Sequence, residues 1–375
     1  MKPLADITIP ASAADGPSRF AAARRVLDQA IADRAFPGAS YGVLYQGQIL
    51  ALDAVGRFTY EADSTPVTPS TIYDLASLTK VLATTAAAML LYERGVLKLD
   101  ARLGDILPGF VVGMRRGSGR ERLTLRMLLA HSSGLPAYIP FFQQHPTPQG
   151  LLRAVLHTPL EVRAGSRAEY SDLGFILLGK ALEVISGDYL ARFCERNIFA
   201  PLGLNSLRFC PPPAWQPSIP PTENDTTFRH RIIQGEVQDE NCFVLGGAAG
   251  HAGLFGRAAD VLRFAQLMLR NPASESSPQP LFREETIRLF TTRQDKPEGT
   301  TRALGWDTPS NPSSSGKHFG PRSFGHLGYS GTSLWIDPDR NLAVVLLTNR
   351  TWPDRSSKAI QTVRPAFHDA IVESL

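Results

Sequence analysis

The sequence predicts an α/β fold of the α+β kind. We expect an antiparallel sheet flanked by helices and built from the N- and C-terminal segments, with a mostly helical domain inserted between them. Strand-like apolar runs lie near both ends of the chain, and helical patterns alternate with Pro/Gly-rich loops in its middle. Helical patterns also precede and follow the strands, so the sheet should be covered on both faces. The expected boundaries are residues 1–85 and 300–375 for the sheet domain and 86–299 for the helical domain.

The N-terminal part begins with a helix and a hairpin. The segment FAAARRVLDQAIADRA has helical spacing and ends before Pro37-Gly38. In ASYGVLYQGQILALDAVG, two apolar runs flank Gln46-Gly47, which predicts a β-hairpin. A long helix is expected from about Ser77 to Arg94, where Gly95 ends it.

The middle of the chain is predicted to form helices and loops, and the C-terminal part three strands and a final helix. Helical patterns occur in LRMLLAH, GLLRAVLH, LGFILLGKALEVI and DVLRFAQLMLR. Residues 211–213 and 217–224 are rich in Pro and predict an extended surface excursion, and residues 308–321 predict a loop. The runs SFGHLGYS, TSLWIDP and NLAVVLLTN predict three strands, with Pro338-Asp339 as a turn before the last. A final helix is expected from about Ser357, bent at Pro365.

Composition and charge exclude several classes of protein. The chain has 375 residues, of which 43% are hydrophobic and 20% charged, as in ordinary globular proteins. Its formal net charge is +4 and its basic residues are interleaved with acidic ones, which argues against nucleic-acid binding. No apolar run is long enough to span a bilayer or to form the core of an N-terminal secretion signal. We therefore expect a cytoplasmic protein with no membrane partner.

The cysteines give no sign of a disulfide or a metal site. Cys194, Cys210 and Cys242 are an odd and widely spaced set, which indicates a reduced compartment. No metal and no organic cofactor is expected. Nothing in the sequence indicates an oligomeric state.

The first chemical motif is Ser77-Leu78-Thr79-Lys80, an S-x-x-K. Residues three apart on a helix share a face, so the Lys80 ammonium can reach the Ser77 hydroxyl. The helix start adds positive potential, which favours an alkoxide nucleophile. Ser314-Ser315-Gly316-Lys317 matches the pattern equally well but lies in the Ser/Gly loop. The helix start behind Asp74 therefore favours Ser77, although a capping Ser beside a solvated Lys remains the alternative.

Tyr170-Ser171-Asp172 is the second motif, at the start of the apolar helix LGFILLGKALEVI. A Tyr phenolate is a good general base, but only if its pKa falls from about 10 toward neutrality, at a cost of roughly 4 kcal/mol. We expect Lys80 and the helix terminus to supply that shift. The alternative is a core Tyr whose hydroxyl is satisfied.

The third motif is His326-Leu327-Gly328, before Tyr329, in a predicted strand. A strand edge fixes an oxyanion-hole N–H, and Gly328 would allow a substrate to approach the backbone; the Ser77 N–H would be the second donor. His251 in GGAAGHAGLFG is a rival match within a glycine-rich loop, for which we favour a histidine at the rim of the site over a chemical role.

Together these motifs resemble the serine β-lactamase and penicillin-binding-protein superfamily, over about residues 36–350. The stretches IYDLASLTKVLATTAAAMLL, LLAHSSGLP, GGAAGHAGLFG and FGHLGYSGTSLWIDP share in the resemblance. Within it the chain is most similar to class C β-lactamases, D-Ala-D-Ala carboxypeptidases and family VIII carboxylesterases. The resemblance implies a β-lactamase-like fold with the active site at the domain interface. It implies Ser77 as the acylated nucleophile, Lys80 as its proton partner, Tyr170 as the base that also protonates the leaving group, and the N–H groups of Ser77 and Tyr329 as the oxyanion hole.

Three residues depart from the family pattern and bear on the substrate. Asp172 stands where Asn is usual, and an ionised Asp cannot donate to a substrate carbonyl. His326 replaces the Lys of most β-lactamases, so a substrate carboxylate is attracted less strongly. Leu327 replaces a small hydroxyl residue. These changes favour small neutral esters over anionic amides, and we expect a carboxylesterase with weak or no β-lactamase activity.

Several alternatives stay open. The enzyme could be a D-Ala-D-Ala carboxypeptidase, a D-amino-acid peptidase, a β-lactamase, or a transacylase that passes the acyl group to an alcohol or amine. A different class is a catalytically silent binding module, although such a protein would be expected to lose Ser77, Lys80 or Tyr170. An unrelated α/β-hydrolase is disfavoured because the one G-x-S-x-G in the chain, residues 38–42, lies inside a predicted hairpin strand and not at a strand-to-helix turn.

Overall fold

The structure is a computed structural model that describes residues 19–113, 117–269 and 281–375. The segment in which we expect no secretion signal lies outside these residues. The strands are β1 (Gly38–Tyr45), β2 (Gln48–Gly56), β3 (Tyr73–Asp74), β4 (Arg208–Phe209), β5 (Glu223–Asp225), β6 (Arg231–Ile233), β7 (Leu254–Gly256), β8 (Phe324–Leu327), β9 (Ser333–Asp337) and β10 (Leu342–Thr348). The α-helices are α1 (Ala21–Ala32), α2 (Ala86–Glu93), α3 (Leu103–Ile106), α4 (Leu125–Leu129), α5 (Pro148–His157), α6 (Asp172–Ser186), α7 (Leu190–Cys194), α8 (Glu240–Val244), α9 (Ala258–Met268), α10 (Glu284–Thr291) and α11 (Ile360–Glu373).

The main sheet confirms the predicted fold class. Its five strands are antiparallel in the order β2-β1-β10-β9-β8, so both ends of the chain contribute. The predicted hairpin is present: Gln46 and Gly47 take φ values of 50° and 78°, the left-handed turn conformation that suits the twist of the two strands. The three predicted C-terminal strands are confirmed as β8, β9 and β10.

Helices cover both faces of this sheet, as expected. On one face α1 and α11 pack against each other and share a core with residues such as Tyr41 and Trp335. On the other face α9 lies against β1 and β10, and Leu262 reaches within contact of Gly42. The helices of the middle of the chain add their core to this second face. The domain boundaries near residues 85 and 300 stay a prediction.

The helix expected after Ser77 is not uniform. Residues Ala76–Leu78 form a 3₁₀ turn and Lys80–Thr85 a π-helical segment before α2 begins. A π-helical turn inside a helix is a frequent mark of a functional site. Gly95 follows the helix with φ 73°, as predicted.

The prediction of a surface excursion at 217–224 is wrong for part of that segment. Ile219 and Thr222 are buried, and β5 starts at Glu223 and pairs with β6. The side chain of Asn349 explains the burial, because its Nδ2 donates to Pro221 O at 2.8 Å and ties the segment to the end of β10. A proline-rich pattern reports the lack of regular backbone hydrogen bonds but not whether another segment covers it.

The described residues contain neither a candidate membrane span nor a disulfide. Within the described ranges, no helix combines the length and apolar character needed to cross a bilayer. The three cysteines are unpaired, and Cys210 is the exposed one.

Candidate active site

Ser77 follows a strained turn at the end of β3. Ala76 takes φ 47°, a left-handed conformation that costs a non-glycine residue energy and concentrates at functional sites. The buried Asp74 carboxylate supports the turn, because its Oδ1 accepts the Ala76 N–H at 2.8 Å. Asp74 therefore supports the start of the turn that carries Ser77. The S-x-x-K pattern gives no sign of the strain at Ala76.

Lys80 is completely buried beneath Ser77, and its ammonium has three partners. Nζ donates to Ser77 Oγ at 3.0 Å and to the backbone oxygen of His251 at 2.9 Å, and it lies 2.7 Å from Asp172 Oδ1. Burial lowers the pKa of Lys80, and the adjacent Asp172 carboxylate opposes that shift. A lysine whose charge is costly is suited to give up its proton and act as a base.

Tyr170 completes the contacts of Ser77 from a distant part of the chain. Its hydroxyl donates to Ser77 Oγ at 2.8 Å. It is followed by Ser171, which caps α6 by accepting the Gly174 N–H. The His131 ring packs against the Tyr170 ring, with 4.7 Å between centroids and 33° between the ring planes.

The expected depression of the Tyr170 pKa is not met in the free site. Burial, reinforced by the Asp172 carboxylate, raises the pKa of the Tyr170 phenol well above its usual value of 10. The charge of Lys80 was expected to lower it, but Asp172 lies beside Lys80 and compensates that charge. The free site therefore holds a protonated phenol next to a lysine whose pKa is lowered.

His326 is buried in β8, but it does not line the cavity in front of Ser77. Its Nδ1 lies 2.8 Å from Leu327 O, and since a carbonyl only accepts, Nδ1 carries the proton. Nε2 is then an acceptor, buried and without a partner in the described part of the chain. Burial holds the pKa of His326 well below its usual range, so the ring is neutral.

The backbone beside His326 offers the second predicted hydrogen-bond donor. Across the described ranges, the N–H groups of Ser77 and Tyr329 donate to no protein acceptor, whereas the Gly328 N–H donates to Thr332 O at 2.7 Å. A Cβ at Gly328 would lie 1.9 Å from Thr332 Oγ1 and 2.7 Å from Leu75 O. Glycine is thus required here by close packing of protein groups, rather than by the approach of a substrate as we predicted.

The cavity in front of Ser77 has a volume of about 640 Å³. Tyr170, Asp172, Gly328 and Tyr329 line it together with Ser77, so six of the seven predicted site residues lie at or directly beneath one cavity, and His326 lies behind its wall. Other charged side chains that no sequence motif indicated also line the cavity: Asp239, Glu240, Arg350, Arg355, Lys358 and Arg364. They follow no spacing rule, and only the fold brings them together.

His251 lies in a loop that also lines the cavity, as we favoured. Its ring Nε2 is 2.9 Å from Asp239 Oδ1, and its backbone oxygen holds Lys80. The rival S-x-x-K is elsewhere: the backbone oxygen of Ser314 lies 3.1 Å from His368 Nδ1, and the backbone N–H of Lys317 donates to Asp369 Oδ1 at 2.6 Å. Neither Ser314 nor Lys317 lines the cavity.

Comparisons with known proteins give the family and the relatives that this chain resembles. The sequence profile of the family described as beta-lactamase matches residues 23–364. A protein of Escherichia coli (strain K12) named "Putative D-alanyl-D-alanine carboxypeptidase" is 35% identical over 308 residues, which cover 76% of this chain and 70% of that protein. A protein of the same name from Escherichia coli O157:H7 is 33% identical over 349 residues, covering 85% and 79%.

Solved structures share the fold at lower identity. EstCE1, described as a hydrolase with promiscuous acyltransferase activity, superposes with a TM-score of 0.74 at 22% identity, covering 95% of this chain and 99% of that one. A class C beta lactamase from Rhodobacter sphaeroides gives 0.69 at 22% identity, covering 94% and 99%. At these identities the likeness concerns the fold alone.

Proposed function

This chain belongs to the beta-lactamase family of serine hydrolases, and we propose that within it the protein is a carboxylesterase that acts through an acyl-enzyme on Ser77. The observation that carries the proposal is the pair of contacts on Ser77 Oγ, from Lys80 Nζ at 3.0 Å and Tyr170 OH at 2.8 Å. Two proton carriers thus meet one hydroxyl at the edge of a cavity large enough for a small ester.

Acylation starts from the form in which Lys80 is neutral. Ser77 Oγ attacks the ester carbonyl carbon while its proton passes to Lys80 Nζ, and the carbonyl oxygen becomes an oxyanion between the N–H groups of Ser77 and Tyr329. The bond to the alcohol oxygen then breaks, and Tyr170 gives its proton to the departing alkoxide. Lys80, whose Nζ lies 4.9 Å from the centre of the Tyr170 ring, returns a proton to the phenolate.

Deacylation repeats these steps with water as the nucleophile. Water attacks the acyl carbonyl and gives up a proton to the Lys80–Tyr170 pair, and the same pair returns a proton to Ser77 Oγ as it leaves. Over the whole cycle, ester and water are converted to acid and alcohol, and Ser77, Lys80 and Tyr170 return to their starting protonation states. A transacylase would differ only in the acceptor, an alcohol or amine in place of water.

The preference for esters is supported by the groups that replace the family's usual donors. Asp172 only accepts hydrogen bonds when ionised, and it is engaged with Lys80 at 2.7 Å. His326 is neutral, and its only proton points to Leu327 O. Neither side chain can therefore donate to the amide or carboxylate of a β-lactam. An ester needs less of this assistance because its alkoxide is a better leaving group than an amide nitrogen.

A second candidate is a D-Ala-D-Ala carboxypeptidase. Arg350, Lys358 and Arg364 line the cavity, and in the described parts of the chain none of them has a carboxylate partner. Such cations could receive the terminal carboxylate of a peptide. The names of the two Escherichia coli relatives point the same way.

The test compares three substrates with the wild type and Ser77→Ala: a short-chain p-nitrophenyl ester, a chromogenic cephalosporin and a peptide ending in D-Ala-D-Ala. We expect fast ester turnover that disappears in Ser77→Ala, and slow cephalosporin turnover. Ester turnover that survives Ser77→Ala would refute the acyl-enzyme mechanism on Ser77. Release of D-Ala without ester turnover would favour the carboxypeptidase, and a protein that turns over none of the three would be a binding module.

We also propose a cytoplasmic location and a domain division near residues 85 and 300. The unpaired Cys194, Cys210 and Cys242 support a reducing compartment. The cavity supports the division, because the residues that line it come both from 74–77 and 327–364 and from 137–252.

A further inference from the structure

The turn that follows β8 is held from behind by a buried arginine. Arg364, on α11, is only 6% exposed. Its Nη2 donates to Gly328 O at 2.6 Å and to Thr332 O at 2.9 Å, and its Nε donates to Gly331 O at 3.2 Å. One guanidinium thus binds three carbonyls of a single turn.

The shortest of these hydrogen bonds is made to the peptide group that carries one of the two proposed oxyanion-hole donors. Gly328 O and the Tyr329 N–H belong to the same peptide group. In the described ranges that N–H donates to no protein acceptor, and Tyr329 lines the cavity. A charged donor on a carbonyl oxygen pulls electron density from the amide, so the N–H at its other end becomes a stronger hydrogen-bond donor.

The charge of Arg364 is also uncompensated. In the described ranges no carboxylate lies within ion-pair distance of it, and the charged group that shifts its pKa is another cation, Arg350. Burial and that neighbour lower the pKa of Arg364 to about 9, so it still carries its proton at neutral pH. A positive charge in a site poor in water is little screened, and it favours negative charge on the nearby carbonyl oxygen of a substrate.

Other contacts keep this turn against the nucleophile. Ser330 Oγ donates to Asp74 O at 2.8 Å, and Thr332 Oγ1 donates to Leu75 O at 3.1 Å. The two oxyanion donors are therefore parts of one connected unit. Arg364 donates to the carbonyl of the Gly328–Tyr329 peptide itself, whereas the other arginine at this turn, Arg350, donates to Tyr329 O of the next peptide at 2.6 Å.

We propose that Arg364 is a positioning residue of the oxyanion hole: it fixes the turn at residues 328–332 and polarises the Gly328–Tyr329 peptide toward the developing oxyanion. The inference rests on the proposed acyl-enzyme mechanism. Since Arg364 also lines the cavity, the competing interpretation is that it binds an anionic group of the substrate directly. The two differ in whether its effect depends on the charge of the substrate.

The experiment compares Arg364→Met and Arg364→Lys with a matched control, Arg120→Met. Arg120 is another buried arginine, 2% exposed, that donates to backbone carbonyls, including Phe110 O at 2.9 Å, and it does not line the cavity. The first readout is kcat/KM for a neutral p-nitrophenyl ester and for an analogue whose acyl group carries a carboxylate. The second is the infrared stretching frequency of the acyl carbonyl on Ser77, with a ¹³C-labelled, slowly hydrolysed acyl group.

Loss of a single oxyanion-hole donor reduces kcat by about 10²–10³, so loss of its polarising partner should lower kcat/KM roughly tenfold to a hundredfold. We expect that loss in Arg364→Met for both esters equally, mainly in kcat, with a higher carbonyl frequency. Arg364→Lys, which keeps the charge, should lie between Arg364→Met and the wild type. If Arg364→Met does not fold, Arg364→Lys alone should show the same effects in smaller measure. Arg120→Met should leave the frequency unchanged even if it lowers the unfolding temperature as much.

Two results would overturn the inference. One is a loss confined to the carboxylate-bearing ester, which would make Arg364 a substrate-binding residue. The other is an unchanged carbonyl frequency in both Arg364 variants. Failure of the underlying mechanism looks different, because the wild type would then form no acyl-enzyme on Ser77 with either ester.

Discussion

Asp172→Asn tests whether the Asp172 carboxylate sets both the substrate preference of the site and the pKa of Lys80. It removes one negative charge while keeping the shape of the side chain, and it supplies an amide that can donate to a substrate carbonyl. We expect acylation by a chromogenic cephalosporin to rise relative to acylation by a p-nitrophenyl ester. Ester turnover should also persist to lower pH than in the wild type.

Both magnitudes follow from the contacts of Asp172. A net hydrogen bond is worth about 1 kcal/mol, so the ratio of cephalosporin to ester acylation should rise about fivefold. The carboxylate lies 2.7 Å from Lys80 Nζ, which gives a Coulomb energy of about 1.5 kcal/mol at the dielectric constant of water and about 6 kcal/mol at an effective value of 20. Without it the burial of Lys80 is opposed mainly by Asp239, and the pKa of Lys80 falls further. Because neutral Lys80 is the base, the acidic limb of the pH profile moves to lower pH.

The assay measures pre-steady-state acylation rates for both substrates from acidic to alkaline pH. Asp172→Ala is the matched control, since it removes the charge but supplies no donor. If donation matters, only Asp172→Asn raises the ratio; if repulsion of an anionic substrate matters, both variants raise it. An unchanged ratio in both would remove Asp172 from the explanation of substrate preference, and an acidic limb that does not move would refute Lys80 as the base.

Three further changes test other parts of the site. Tyr170→Phe removes the hydrogen bond of 2.8 Å to Ser77 Oγ and should lower kcat/KM by about 10²–10⁴ with the unfolding temperature nearly unchanged; a smaller effect would contradict its role in proton transfer. Gly328→Ala places a Cβ 1.9 Å from Thr332 Oγ1, so it should destabilise the fold by about 1–3 kcal/mol in chemical denaturation and abolish ester turnover, and a fully active variant would refute the geometry of the turn. Burial raises the pKa of the Asp74 carboxyl from 3.8 to about 6, so the folded state holds this proton more tightly than the unfolded chain. The contribution of Asp74 to the free energy of unfolding should fall by about 3 kcal/mol as the pH rises from 3.8 to about 6. Asp74→Asn, which does not titrate, should not show this decline.

Much of the fold could be read from local patterns. The hairpin around Gln46-Gly47, the three C-terminal strands and the helices flanking the sheet all form where alternation, helical spacing and turn residues predict them. The partners within the S-x-x-K were predictable for the same reason, because a three-residue spacing in a helical segment places Ser77 and Lys80 on one face. At residues 217–224 the local pattern contained no information about the segments that cover it, and the predicted surface excursion was wrong in part.

The sequence by itself predicted which residues carry the proposed chemistry: Ser77, Lys80 and Tyr170 stand out by residue type, spacing and order. Only the tertiary structure decided their protonation states, since the pKa of Tyr170 is raised rather than lowered and His326 is neutral. It alone placed Arg364 behind the Tyr329 N–H. The physical reason is that local patterns fix backbone geometry over a few residues. Desolvation and electrostatic fields instead sum over groups that lie far apart in the chain and meet only when it folds.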